Sequence, residues 1–230
     1  MFTILEAKKP TITRPVYIMF DKEVEPLYTK AVLQGINTIL RFANVEGRLP
    51  AHNFGVWRNN NWRQGVNLTE WNSIDWYIQR VERQSRQGQL DGDKLLLLLM
   101  TEPWQKNNRH YDVLVTNKDL YTEGCNFCIG LAIHEFGTII STNRFQNLNP
   151  NQAYECIVTE TIHEMGHVFG LIPHTRKKNV ENSLGLHCTN KCVMRQGMKV
   201  PHDWLNITID RLNGHNFCDE CLNDLKNYFL

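Results

Sequence analysis

The chain has 230 residues, of which 42% are hydrophobic and 21% are charged. These proportions are ordinary for a folded globular protein and exclude a chain that is disordered throughout. Its formal net charge of +1 gives no general electrostatic attraction to nucleic acid or to an anionic membrane surface, so we expect neither as a partner.

Targeting and redox signals are few. The first ten residues lack an apolar run behind a basic start, and the most apolar segment, residues 95–100, is too short to span a bilayer. We therefore expect a cytoplasmic protein, or one that is exported by another route. The chain has seven cysteines, an odd number, and four of them are spaced in a way that suits a metal ion better than disulfides.

The first half of the chain alternates predicted strands and helices. Residues 15–20 form an apolar run typical of a buried strand, and residues 23–42 carry apolar side chains at helical spacing. A short strand is predicted at residues 54–57 and an amphipathic helix at residues 73–89. Five consecutive leucines in residues 94–101 predict a strand that is covered on both faces.

The next elements complete the predicted sheet. Residues 111–116 predict a strand, and residues 126–145, broken by Gly130 and Gly137, predict two short strands at the edge of the sheet. The order β-α-β-α-β-β favours a mostly parallel sheet. An edge strand beside a cleft can pair with an extended peptide, and we expect this pairing near residues 137–143.

A helix after this sheet carries the motif HExxHxxG. On one side of a helix, His163 and His167 can bind a single metal ion while Glu164 stands beside them as a base. The helix is predicted to begin after Asn149 and to end at Gly170. Its other side has apolar residues at core spacing, namely Tyr154, Val158, Ile162, Met165 and Phe169. This pattern is typical of a zinc hydrolase.

Two histidines are candidates for the third ligand. The pattern HExxHxxGxxH would place it at position 173, which is a proline, so His174 is one residue out of register. His187 directly precedes a cysteine. We favour His187 and keep His174 open, whereas Glu181, a carboxylate alternative, lacks a helical context.

The cysteines after His187 form two close pairs that can deliver four thiolates to a tetrahedral zinc ion. They are Cys188, Cys192, Cys218 and Cys221. Disulfides or reduced buried thiols are the alternatives. Separately, Cys125 and Cys128 form a lone CxxC, for which free thiols are favoured over a redox pair. A helix is predicted at residues 219–229.

These features resemble the archaemetzincins, a metzincin family in which the zinc-binding histidine is followed directly by a cysteine, then by Cys-x-Met and by a downstream CxxC. About half of the chain is similar. The resemblance implies that His163, His167 and His187 bind a catalytic zinc ion, that the four cysteines bind a second, structural one, and that Met194 lies beneath the catalytic ion.

The chain departs from the family's pattern in three ways. About a dozen or more residues are inserted between Gly170 and His187, where the family turns within three. Three residues rather than four separate Cys188 from Cys192, and the gap after Met194 is longer. With these departures the chain resembles a bacterial or phage branch, or a close matrixin-like relative.

The resemblance and the residues together predict an α/β (α+β), metzincin-like fold. We expect a twisted, mostly parallel sheet with an antiparallel edge strand and a long active-site helix in residues 1–170. Residues 171–230 would form a small zinc-stapled subdomain with the third histidine, the methionine turn and the four-cysteine site.

The implied function is a zinc metallopeptidase, either an endopeptidase or an aminopeptidase, that acts on peptide or protein substrates. It would use two Zn²⁺ ions, with Glu164 as the general base. The alternative is a catalytically inactive, zinc-stabilised peptide-binding protein. Glu164 argues against that alternative because a purely structural site has no use for a base. The oligomeric state stays open.

Overall fold

The computed structural model describes residues 14–56, 71 and 73–230. The helices are α1 (Pro26–Phe42), α2 (Ile74–Glu82), α3 (Gly92–Met100), α4 (Pro150–Val168), α5 (His202–Leu212) and α6 (Asp219–Tyr228). The strands are β1 (Val16–Phe20), β2 (Ala51–Gly55), β3 (Gln89–Asp91), β4 (Tyr111–Thr116), β5 (Asp119–Thr122), β6 (Cys125–Cys128), β7 (Gly130–Ile133), β8 (Gly137–Ser141), β9 (Val180–Asn182) and β10 (Leu186–Cys188).

Among the described residues, five strands form the central sheet, in the order β2-β1-β4-β8-β7. Strands β2, β1, β4 and β8 are parallel, and β7 pairs with β8 in the antiparallel sense. The predicted α/β fold, with a mostly parallel sheet and an antiparallel edge strand, is therefore confirmed. The short strand predicted at residues 54–57 is observed as β2, and residue 57 lies outside the described residues.

The leucine run is a helix, so the strand predicted at residues 94–101 is wrong. The side chain of Asp91 accepts a hydrogen bond from the Lys94 backbone N–H, which caps the first turn of α3. Leu95 and Leu99 are buried, whereas Leu97 is 56% exposed. Consecutive leucines satisfy strand and helix patterns equally, and here the cap and the strong helix propensity of leucine decide.

At the end of the sheet that contacts α4, the edge strand is β7 and not β8, so the peptide-pairing edge expected at residues 137–143 is wrong. Residues 126–145 contain three strands rather than two. After β6 the chain forms a β7–β8 hairpin, which returns β8 into parallel pairing with β4. Both sides of β8 are therefore occupied, and β7 takes the outer position.

Helix α4 packs against α1, β7, β8 and α5. As predicted, it starts at Asn149, whose side chain accepts from the Gln152 N–H, and it ends before Gly170, which has a φ of +71°. Gly35 permits close packing of α1, because a Cβ there would lie 2.6 Å from the Cβ of Thr161.

The C-terminal part of the chain adds α5, which was not predicted, and α6, which was. Trp204 and Ile207 are buried on the inner face of α5. On the same helix, the Arg211 guanidinium donates to the Thr159 hydroxyl of α4 at 2.9 Å. Among the described residues, we find no helix with the length and apolar character needed to cross a membrane.

Candidate metal centre

Helix α4 brings two imidazoles together. The Nε2 atoms of His163 and His167 lie 3.2 Å apart. His163 Nδ1 is 2.8 Å from the Val193 carbonyl oxygen, which can only accept, so this nitrogen donates and Nε2 stays free for a ligand. The spacing of four residues on a helix thus gives the arrangement that the motif predicts.

The third imidazole comes from β10, in the antiparallel hairpin of β9 and β10. The His187 ring centre lies 5.3 Å from that of His163 and 5.0 Å from that of His167. One nitrogen of each of the three rings lies within 4.8 Å of the other two. His174 lines the same cleft but is not in this group, and Glu181 is exposed on the opposite strand.

The three imidazoles suit a divalent cation. A tetrahedral ion with Zn–N bonds of about 2.0–2.1 Å separates its ligand atoms by about 3.3–3.4 Å, close to the distance between His163 and His167. Burial lowers the pKa of His163 to about 3 and that of His167 well below its ordinary value. The pKa of His187 is also lowered by burial. Neutral rings are the form that binds metal.

Two carboxyl groups lie beside the imidazoles. Glu164 is 6% exposed, and burial raises its pKa to about 8. Glu160, one turn earlier, is fully buried, and burial together with Glu164 raises its pKa well above the ordinary value. A Cβ at Gly130 on β7 would collide with both side chains, so this glycine makes room for the pair.

Sequence reasoning missed Glu160. The signal was present, because it stands four residues before Glu164 on the same helix.

Met194, which the resemblance places beneath the catalytic ion, packs against helix α4 at Gly166. A Cβ at Gly166 would lie 2.5 Å from the Met194 sulfur, so the glycine lets the methionine approach the turn between the two histidines. The Met194 carbonyl accepts from the Cys188 N–H at 2.9 Å. Trp204, also missed in the sequence, packs edge-on against His163, with ring centres 5.1 Å apart.

The four predicted cysteines meet at one point. Their sulfur atoms lie within 4.8 Å of one another, with 3.7 Å between Cys188 and Cys218 and 3.8 Å between Cys192 and Cys221. All four are free thiols rather than disulfides. Four Zn–S bonds of about 2.3 Å in a tetrahedron place sulfurs about 3.8 Å apart, so the set fits a zinc ion.

An arginine that sequence reasoning missed contacts this sulfur cluster. Arg176 lies in the insertion before β10, and its side chain is 7% exposed. Its guanidinium donates to the sulfurs of Cys188 and Cys221, both at 3.2 Å, and to Asp224 at 3.0 Å. The insertion therefore wraps the cysteine cluster and supplies a positive charge to it.

The histidines and Glu164 face an open cleft of about 900 Å³. It is lined by β6, by β7 and by residues 170–174 and 184–187. Cys125 and Cys128 lie on β6 as partly buried free thiols. The edge strand and the imidazoles thus share one cleft.

Sequence comparisons find archaemetzincins among the proteins to which this chain is similar. The archaemetzincin of Nanoarchaeum equitans is 33% identical over 113 residues, which are 49% of this chain and 51% of that protein. The archaemetzincin of Archaeoglobus fulgidus is 33% identical over 115 residues, 49% of this chain and 58% of that protein. The chain thus spans about half the length of the curated relatives it matches.

Solved structures show the same architecture over nearly the whole chain. The crystal structure of archaemetzincin from Methanopyrus kandleri has a TM-score of 0.62 and 20% identity, covering 96% of this chain and 97% of that one. A zinc-dependent peptidase from Methanocorpusculum labreanum has a TM-score of 0.57 and 22% identity, covering 91% and 99%. At this identity the likeness shows the fold alone.

The sequence relatives named above are archaeal, and they give no support to the expected bacterial, phage or matrixin-like branch. The family model described as Peptidase family M54 matches residues 106–227, which is more than half of the chain. The matched segment includes the three histidines, Glu164 and the four cysteines. The chain therefore belongs to peptidase family M54.

Proposed function

We propose that the chain is a zinc-dependent peptide hydrolase in which His163, His167 and His187 hold the catalytic ion. The observation that carries this proposal is the convergence of three neutral imidazoles next to Glu164 in an open cleft. A metal held only for stability needs neither a neighbouring base nor solvent access. Membership of peptidase family M54 supports the same assignment.

The residues of the cleft have different roles in the proposed reaction. When bound, zinc supplies Lewis acidity, which activates a water and polarises a peptide carbonyl. Glu164 accepts the proton of the attacking water and returns it to the leaving amine. His163 and His187 have their outer nitrogens beside the carbonyls of Val193 and Gly185, which fixes the orientation of the inner ones.

We further propose that the substrate lies extended along β7. Within the described part of the chain, β7 is one of the two edge strands of the central sheet, and it lines the same cleft as Glu164. An edge strand offers backbone donors and acceptors to any extended peptide, whatever its side chains. Peptides with blocked ends and an internal fluorophore pair would report endopeptidase activity, and aminoacyl fluorophores would report aminopeptidase activity.

The four cysteines are proposed to hold a second, structural zinc ion. They join β10, the loop after it and the start of α6. Because Cys188 follows His187 directly, this ion would hold the third imidazole in place. Residues 171–230 would then act as the zinc-stapled subdomain that the sequence predicts.

Zinc content and hydrolysis, measured on matched variants, test the proposal. We expect Glu164→Gln to keep all of its zinc and to lose about 10²–10⁴-fold in kcat, because proton transfer is lost while the ligands remain. His187→Ala should lose one zinc equivalent relative to wild type, and His174→Ala should lose none. Full activity in Glu164→Gln would refute the mechanism.

The same experiment distinguishes a peptidase from a zinc-stabilised peptide-binding protein. A wild-type chain that carries its zinc and binds peptides without cleaving them would be a binding protein. A loss of zinc in His174→Ala but not in His187→Ala would reverse the choice of the third ligand.

A further inference from the structure

A third cluster of metal-binding side chains lies outside the cleft. Glu102 follows α3, and His110 and Asp112 stand on either side of Tyr111 at the start of β4. Each of the three is 1% exposed, and none of them lines the cleft. Charged groups buried this deeply require neutralisation by a partner.

One atom of each side chain points to a common centre. His110 Nε2 lies 3.2 Å from Asp112 Oδ1 and 3.5 Å from Glu102 Oε2. These three atoms are buried and have no hydrogen-bond partner among the described residues. The two distances from His110 Nε2 are close to the distance of about 3.3–3.4 Å between ligands of a tetrahedral ion with bonds of about 2.0–2.1 Å.

The outer atoms of the same groups are held by hydrogen bonds. These bonds run from the Tyr77 hydroxyl to Glu102 Oε1, from Gln105 Nε2 to Asp112 Oδ2 at 2.8 Å, and from His110 Nδ1 to the Asn108 carbonyl at 2.6 Å. These hydrogen bonds fix the orientation of each side chain and leave the three atoms at the common centre available to bind a metal ion. Metal ligands in proteins are commonly held by such a second layer of hydrogen bonds.

Charge balance favours a divalent ion at this centre. Two ionised carboxylates carry two negative charges, which a divalent cation with a neutral imidazole offsets completely. Without an ion, burial raises the pKa of Glu102 to about 7 and also raises that of Asp112. Burial opposes a charge on His110, but the two neighbouring carboxylates outweigh it and raise its pKa to about 10. A protonated imidazole would offset only one carboxylate.

We propose that Glu102, His110 and Asp112 bind a third divalent metal ion, with zinc as the first candidate. One imidazole and two carboxylates are ligands that zinc accepts. A water or a second carboxylate oxygen would complete the coordination. The site is closed to substrate, so the ion is structural and ties the segment after α3 to the start of β4.

Native mass spectrometry of the zinc-supplied wild-type chain provides the first test and needs no variant. We expect a most highly loaded state with three zinc ions, since the cleft and the cysteine cluster hold two. A maximum of two ions, with a solvent-protected Nε2–H signal from His110 in the NMR spectrum, would overturn the proposal. That result would identify a protonated histidine between the carboxylates instead.

Variants then locate the ion. His110→Asn and Glu102→Gln should each lose one zinc equivalent, because the imidazole or the charge is removed. Their hydrolytic activity per zinc in the cleft should stay unchanged. His215→Asn alters an exposed histidine and serves as the matched control. Zinc content equal to wild type in both cluster variants, if they fold, would contradict the assignment.

Discussion

At the scale of single residues, the two sites of the proposed peptidase differ in how their charge is balanced. Three neutral imidazoles leave a bound zinc ion with its full positive charge, which it needs to activate a water. Four thiolates instead exceed the charge of the zinc by two, and Arg176 is the cation that touches them. This difference in charge suits the proposed catalytic role of the histidine site and the proposed structural role of the cysteine site.

Replacing Arg176 tests this role. We expect Arg176→Gln to lower the zinc affinity of the cysteine cluster by about 10–100-fold, because two charge-assisted hydrogen bonds to sulfur are lost. Arg176→Lys should fall in between, since an ammonium cannot reproduce the forked contact. Competition with a chromogenic chelator measures the affinity. Equal affinity in all three proteins would show that the arginine matters only for packing.

Glu160 is the second residue that permits a specific prediction. Burial and the neighbouring Glu164 raise the pKa of Glu160 well above its ordinary value, which favours the protonated form, and a protonated Glu160 can donate a hydrogen bond to Glu164. Glu160→Gln retains a donor, so its kcat should stay within a few-fold of wild type. Glu160→Leu should lower kcat by about 10–100-fold with KM and zinc content unchanged. If the two variants behaved alike, the positioning role would be refuted.

At the scale of elements, β7 is the edge strand of the central sheet that lines the cleft. Residues of an extended peptide alternate in direction, so only every second backbone N–H can pair with β7. We expect N-methylation at those positions of a substrate to raise KM by about 10-fold, and N-methylation at the intervening positions to have little effect. A methyl scan of one good substrate measures this alternation. A uniform response along the peptide would exclude strand pairing.

The contact between α1 and α4 gives a prediction for stability. Gly35→Ala adds a methyl group 2.6 Å from the Cβ of Thr161, and we expect overpacking of about 1–3 kcal/mol to outweigh a gain in helix propensity of about 1 kcal/mol. Gly47→Ala, where nothing lies within 4 Å, is the control and should be nearly neutral. Urea unfolding of zinc-saturated protein compares them. A stabilised Gly35→Ala would show that the helices separate easily.

The same scale shows what could be predicted from the sequence. Helix α4 was predicted with its cap and its histidines because all of its signals are local. The leucine run of α3 was misassigned because its period is ambiguous, and only Leu97 on the solvent side reveals it. The contacts of Arg176 and the cluster at His110 depend on side chains that meet only after folding. No spacing in the chain encodes them.

At the scale of the whole molecule, the two proposed zinc sites are coupled through β10. We expect Cys221→Ala to weaken zinc binding in the cleft and to lower hydrolysis at limiting zinc, although Cys221 does not line the cleft. Cys156→Ala changes another buried free thiol and is the control. Zinc equivalents and activity across a zinc titration are the measurements. Unaltered activity in Cys221→Ala at every zinc concentration would show that the sites are independent.

Strand β10 has a consequence for which lengths of chain the fold can tolerate. His187 and Cys188 are consecutive residues of a strand, so their side chains leave on opposite faces, one toward each site. One extra or one missing residue between them would reverse this alternation and send the sulfur and the imidazole to the wrong sides. The loop before the strand is under no such rule. Its length does not set this alternation, whereas no residue can be added between His187 and Cys188 without changing it.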